Sequence, residues 1–115
     1  MKKVEFLPIM TKIEMPNGLQ WHNEKLYVID QKTDNIFILD EKGQIIDEFS
    51  TLCENGSGIT IGDNCIWLGS NGKTEARPFR GSDTHISWIL KLDIKSKQLI
   101  SRFPTPDGGG VHGLE

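Results

Sequence analysis

A pattern of four short apolar runs, which occurs twice, constrains the fold of this chain more than any other feature. The first copy lies between Gly18 and Phe49 and reads GLQWHNEKLYVIDQKTDNIFILDEKGQIIDEF. Each run has the length of a β-strand, and the residues between the runs, such as Asn23-Glu24 and Lys42-Gly43, favour tight turns. Because helical periodicity is absent, the segment predicts a four-stranded antiparallel meander.

The second copy begins at Gly58, where GITIGDNCIWLG matches GLQWHNEKLYVI position by position. An inserted segment, 71–87, interrupts the match, which resumes from Trp88 to Phe103. A third copy opens at Gly113. The predicted organisation is an N-terminal strand region that completes a neighbouring blade (1–17), blade one (18–57), blade two with the insertion (58–112) and the start of a third blade (113–115).

A repeat of about 40 residues with four strands per copy is typical of a β-propeller blade. An open stack of meanders is the alternative. The runs Leu26–Ile29 and Ile36–Leu39 are apolar at every position, as expected for strands that are covered on both faces. The sequence therefore predicts an all-β fold of antiparallel four-stranded meander repeats that form a partial β-propeller.

Two blades and the start of a third do not close a ring, because propellers have about four to eight blades. Either the chain is a piece of a longer protein, or several copies associate through their open blade edges. The second possibility would hide strand edges that otherwise promote aggregation. Both alternatives remain open at this point.

Composition excludes several classes of function. The chain has 115 residues and a net charge of −3, with both signs interspersed, whereas nucleic-acid binding calls for a basic patch. Its apolar runs are too short to span a membrane, and the N-terminus lacks the continuous apolar core of a signal peptide. Cys53 and Cys65 have no metal-binding spacing and are expected to be reduced thiols. A cytoplasmic protein is predicted.

Strand parity predicts where the loops lie. In an up-and-down blade the connections alternate between two ends of the sheet, so the insertion should share an end with the entrances to the first strands. Asn17, Ser57 and His112 stand at those entrances. Asn23-Glu24 and Lys42-Gly43 should lie at the opposite end.

The elements NGLQW…LYVID and SGITI…IWLGS, with HGLE opening a third, resemble the blades of six-bladed propellers of the SMP-30/gluconolactonase, streptogramin lyase and NHL-repeat type. In SMP-30-like lactonases, the residue before this glycine is a divalent-cation ligand on some blades. The resemblance thus implies a Ca²⁺ or Mg²⁺ site with Asn17 as a ligand. Streptogramin lyases have a His-containing channel site with magnesium, which His112 and Glu115 resemble.

The residues themselves suggest further roles. His112 can act as a general base near neutral pH, and Glu115 is polar at a position expected to line the channel. Arg77 and Arg80, which flank Pro78-Phe79, suit the recognition of a carboxylate or phosphate. A long loop inside a compact repeat is often functional, so His85 in the same loop joins Arg77 and Arg80 as a candidate substrate-binding residue. Ser57 is a further candidate substrate contact. The alternative is that these are solvated loop residues.

The predicted function is the binding of a small molecule over the channel face, with lactone hydrolysis or elimination in a cyclic ester as the implied reactions. The alternative is a non-enzymatic propeller that binds a peptide or protein on the same face. The sequence lacks the P-loop, G-x-S-x-G and H-E-x-x-H motifs, so it offers no motif for those chemistries. No cofactor other than the divalent cation is expected, and nucleic acid and membrane are not expected partners.

Overall fold

A computed structural model describes residues 12–72 and 76–105, which form eight β-strands in two sheets. The first sheet contains β1 (Pro16–His22), β2 (Lys25–Asp30), β3 (Asn35–Leu39) and β4 (Ile45–Ser50). The second contains β5 (Gly56–Gly62), β6 (Cys65–Ser70), β7 (Trp88–Asp93) and β8 (Leu99–Pro104). Neighbouring strands pair antiparallel in chain order, which confirms the predicted all-β class. These residues include no helix that could cross a lipid bilayer.

The two sheets repeat one another down to their irregularities. Both first hairpins turn through two residues with positive φ, Asn23 and Glu24 in one and Asp63 and Asn64 in the other, as type I′ turns require. Two register shifts also recur, at Pro16/Gly18 and Ile38/Leu39 in the first sheet and at Gly56/Gly58 and Lys91/Leu92 in the second. The strands β1 and β5 begin two residues earlier than predicted, so Asn17 and Ser57 lie at bulges inside them.

The main core lies between the two sheets. Both sheets contribute buried aliphatic side chains to it, including Ile29, Ile36 and Ile38 from the first and Ile66, Leu68, Leu90 and Leu92 from the second. The apolar runs of the sequence predict that eight residues are buried between blades, namely Leu26, Val28, Ile36, Ile38, Ile66, Leu68, Ile89 and Leu92. Five of these eight lie in the core between the sheets. Burial between two sheets is the main stabilising contribution, at about 25 cal/mol per Å² of apolar surface removed from water.

A second apolar cluster covers the opposite face of the first sheet, where Ile13 packs over Val28, Phe37 and Leu39. Successive side chains of a strand point to opposite faces, so β2 and β3 contribute to both clusters, and their segments Leu26–Ile29 and Ile36–Leu39 are apolar at every position. The prediction that Val28, Leu26 and Ile89 lie between the sheets is wrong for this reason. Val28 and Leu26 belong to the second cluster, and Ile89 alternates with Leu90 and points away from the core.

The glycine of the repeated element has a packing role. A Cβ atom at Gly18 would lie 3.3 Å from Cα of Gly58 in the other sheet and 3.0 Å from Cγ2 of Ile29. The strands β1 and β5 therefore approach so closely that a side chain at this position would force its neighbours to shift by a few tenths of an ångström.

Candidate functional site

The candidate site is the end of the sheets where the β2–β3 turn, the linker 51–55 and the insertion 71–87 meet. Asn17 Nδ2 donates to the carbonyl of Gly56 at 3.3 Å, and Arg77 in the insertion donates to Asp34 in the β2–β3 turn. At the opposite end, Asn23 lies beside Lys42 in a shared surface groove. The arrangement expected from strand parity is confirmed for these residues. His112 lies outside the described residues.

Asp34 joins three segments at this end. Its backbone has a φ of +59°, and its amide donates to the carbonyl of Asp30 at 2.7 Å, which closes the β2–β3 turn. The buried carboxylate accepts hydrogen bonds from the amides of Gly56, at 2.8 Å, and Asn55, at 3.1 Å, and from Arg77 Nε at 2.7 Å. One side chain thus links the first sheet, the entrance to β5 and the insertion.

Arg77, which binds Asp34 through Nε, also holds the insertion together through its two other nitrogens. Its Nη1 and Nη2 atoms donate to the two oxygens of Asp83 at 2.9 and 2.8 Å, a bidentate geometry that gives strong, directional binding. The Arg77 side chain is only 7% exposed, and those of Asp34 and Asp83 are 0% and 1% exposed. The donors of Arg77 are therefore engaged inside the chain, which makes it a structural residue of the insertion.

The ion pair between Arg77 and Asp83 is expected to make the folded chain less stable in acid. Hydrogen bonds from Arg77, and then from the Arg80 amide, hold the pKa of Asp83 well below its usual range. The unfolded state, with an aspartate pKa of about 3.9, then binds more protons in acid. The stabilisation is present above that pH and is lost as the pH falls towards the folded pKa. The free energy of unfolding, measured with urea between about pH 5 and 2, should fall as the pH falls, and D83N should make this dependence on pH less steep. An unchanged dependence in D83N would contradict the assignment.

Glu54 anchors the far side of the insertion. Its side chain is fully buried, at 1% exposure, and its oxygens accept from the amides of Thr84 and His85 at 2.7 and 2.6 Å and from Thr84 Oγ1 at 2.8 Å. Trp88 Nε1 in turn donates to Thr84 Oγ1 at 2.6 Å. Buried carboxylates need such donors to offset lost hydration, so the loop conformation and the burial of Glu54 depend on each other.

Sequence reasoning missed the roles of Asp34 and Glu54, which looked like turn and linker residues. Their partners are 43 and 30 residues away along the chain, at Arg77 and Thr84. A long insertion that contains both arginine and aspartate is the one signal that could have suggested an internal ion pair.

The remaining predicted residues are spread over this end. Arg80 Nη2 donates to the carbonyl of Cys53 at 3.0 Å, and its side chain is 33% exposed. His85 is exposed, with a φ of +65°, and its ring meets that of Phe79 edge-on at 4.6 Å. Ser57 is buried, and Asn17 Nδ2 also donates to Gln31 Oε1 at 3.2 Å. Glu115, like His112, lies outside the described residues.

The insertion leaves an apolar surface beside these contacts. Phe79 is 65% exposed and Ile86 is 44% exposed. A groove of about 400 Å³ separates the insertion from the β2–β3 turn, with Pro78 and Phe79 on one side and Lys32 and Thr33 on the other. The arrangement offers an aromatic contact next to a lysine on a loop held by buried carboxylates.

A metal site was expected at Asn17. Across residues 12–72 and 76–105 there is no cluster of three or more His, Cys, Asp or Glu side chains that could hold an ion. Asn17 uses its amide nitrogen in the two contacts described above. The prediction of a divalent cation stays a prediction, since His112 and Glu115 belong to it.

No protein-family model matches this chain, and no curated protein does so either.

Proposed function

We propose that this chain forms two blades of a β-propeller of the SMP-30/gluconolactonase, streptogramin lyase and NHL-repeat kind, and that it binds a peptide or protein segment at the end that carries the insertion. Two four-stranded meanders with the same bulges and the same first hairpin turn, packed face to face, support the propeller. The exposed aromatic surface of the insertion supports the choice of ligand.

One observation carries the proposal: Phe79 is 65% exposed on a loop that hydrogen bonds of Arg77 with Asp83, and of Glu54 with the amides of Thr84 and His85, hold from inside. An aromatic side chain on a rigid support loses little entropy when it binds, and such residues dominate the binding energy of protein interfaces. The loop is therefore built to present Phe79 and Ile86 to a partner.

A small-molecule site is the second candidate, because the groove beside Phe79 falls in the size range of ligand pockets, about 300–1,000 Å³. Lys32 and Arg80 at its border would hold an anionic group. In this version His112 would be the general base, with Glu115 assisting it and Asn17 binding Ca²⁺ or Mg²⁺, and the substrate would be a lactone or another cyclic ester.

A random-peptide display library selected on the immobilised chain separates the two candidates. Peptides with an apolar or aromatic anchor should be recovered, and F79A should weaken their binding about thirtyfold, the effect of losing a contact of about 2 kcal/mol. Ile100→Ala, an exposed position on β8, is the matched control and should leave binding unchanged.

Recovered peptides that bind F79A as tightly as the unchanged chain would contradict peptide binding through the insertion. Chelator-sensitive hydrolysis of a lactone panel, without peptide recovery, would instead establish the small-molecule candidate.

We also propose a cytoplasmic location. Cys53 and Cys65 are both free and buried, and burial raises the pKa of the Cys53 thiol well above its usual range. A protonated thiol is unreactive, in keeping with a structural cysteine in a reducing compartment.

A further inference from the structure

We propose that a second groove of this chain, separate from the one beside Phe79, binds a small organic anion with an aliphatic body, either a carboxylate or a phosphate ester. This linker groove has a volume of about 290 Å³ and is lined by residues 50–52, Arg80, Leu92 and residues 97–99. The inference goes beyond the proposed function, because it concerns a different groove and a different ligand.

The linker groove lies where three segments of the chain meet. The linker after β4 contributes Leu52, the insertion contributes Arg80, and the β7–β8 turn contributes Lys97. Arg80 Nη2 donates to the carbonyl of Cys53 at 3.0 Å, which holds the insertion against the linker. The volume is near the lower end of the range for ligand pockets, about 300–1,000 Å³, so the groove suits a small ligand.

The lining of this groove combines positive charge with an apolar wall. Among the described residues that line it, the ionisable side chains are those of Arg80 and Lys97, and both are cations. The wall consists of Leu52, Leu92 and Leu99. A ligand with an anionic head and an aliphatic body matches both parts, because the cations bind the head and burial of the body removes apolar surface from water.

The Arg80 guanidinium has no carboxylate hydrogen-bonded to it among the described residues. Its Nε lies 3.8 Å from Asp83 Oδ1, beyond hydrogen-bonding distance, and this buried nitrogen has no acceptor in the described part of the chain. Both oxygens of Asp83 already accept from Arg77. The Arg80 side chain, which is 33% exposed, therefore retains positive charge for an anion from outside the chain.

Lys97 occupies a backbone position that favours glycine. Its φ is +63°, in the left-handed region that residues other than glycine rarely adopt. The equivalent residue in the first sheet is Gly43, with a φ of +82°. In each turn the amide of this residue donates to the carbonyl of the aspartate that begins the turn, Asp40 or Asp93. A lysine at a position where glycine fits with less strain is consistent with a binding role for its side chain.

The ammonium of Lys97 is only weakly paired within the chain. It lies 3.7 Å from Asp47 Oδ2, and the Asp47 side chain is 47% exposed. Ion pairs that are exposed in this way contribute little free energy, because water and salt screen them. An anion bound in the linker groove can therefore compete with Asp47 for this ammonium.

Titrations of the isotope-labelled chain with hexanoate, hexyl phosphate and hexanol, followed by NMR, test the proposal. At concentrations up to about 10 mM, enough to saturate a millimolar site, at least one of the two anions should shift the amide signals of Leu52 and Gln98. The anion that binds more tightly identifies the headgroup. Hexanol, which has the same aliphatic chain without the charge, should bind at least about tenfold more weakly. Failure of both anions to bind, or equal binding of hexanol, would overturn the proposal.

Replacement of Lys97 by glycine separates binding from folding. The first sheet forms with Gly43 at the equivalent position, so K97G should keep its stability in urea unfolding. Its affinity for the anion should fall about tenfold, the effect of losing one charge-assisted hydrogen bond. K95G, which removes an exposed lysine of the same turn that does not line the groove, is the matched control and should bind the anion like the unchanged chain.

Two further measurements make the result specific. K97Q keeps a long side chain without the charge and should show the same loss of affinity as K97G. Peptide binding through Phe79 should be unchanged in K97G, because Lys97 does not line the groove beside Phe79, so this proposal and the proposed function can fail independently. Folded K97G and K97Q variants that bind the anion as tightly as the unchanged chain would overturn the proposal.

Discussion

Replacement of Arg77 by alanine is expected to lower the free energy of unfolding by about 3–5 kcal/mol, the usual cost of removing one partner of a buried ion pair. Arg77 contacts Asp34 at 2.7 Å and Asp83 at 2.8 Å, and both carboxylates are almost completely buried. Without the guanidinium, these carboxylates remain desolvated with fewer donors. Urea unfolding at pH 7 measures the change.

Two further variants make the result specific. Arg77→Lys keeps the charge but not the planar fork, so it should recover only part of the loss. Lys42→Ala removes an exposed cation at the opposite end of the sheets and should change stability by less than about 0.5 kcal/mol. A loss below about 1 kcal/mol in Arg77→Ala would show that the pair does not anchor the insertion.

Replacement of Leu68 by alanine is the second large expected effect, a loss of about 2–5 kcal/mol. Leu68 is fully buried between the two sheets with Leu90 and Ile59, so truncation removes buried methyl groups and leaves a cavity. Ile100→Ala, at an exposed strand position, is the matched control and should cost less than about 0.5 kcal/mol. Equal effects at the two positions in urea unfolding would mean that the sheets do not pack as described.

Both experiments also report on the insertion. The Leu68 variant should weaken the contact between the sheets, whereas the Arg77 variant should release the loop that presents Phe79. Under conditions in which both variants remain folded, the affinity for the proposed peptide ligand should therefore fall more in Arg77→Ala than in Leu68→Ala. This comparison separates the stability of the scaffold from the preorganisation of the loop.

The sequence alone was sufficient to predict the strands, their order and the repeat. These features depend on neighbouring residues: apolar runs of strand length, and turn residues such as Asn23-Glu24 whose positive φ values set the hairpin. Antiparallel meanders also pair each strand with its neighbour in the chain, so strand parity alone placed the insertion at the same end of the sheets as Asn17. Local chemistry was enough at each of these steps.

The sequence did not predict which face of each sheet would meet the other, nor which carboxylates would be buried. Val28 and Ile29 are adjacent and equally apolar, yet one packs under Ile13 and the other between the sheets. Asp34 and Arg77 are separated by 43 residues, and nothing near either residue specifies the other. Tertiary structure decided both, because face choice and buried ion pairing depend on contacts that exist only after the sheets have packed.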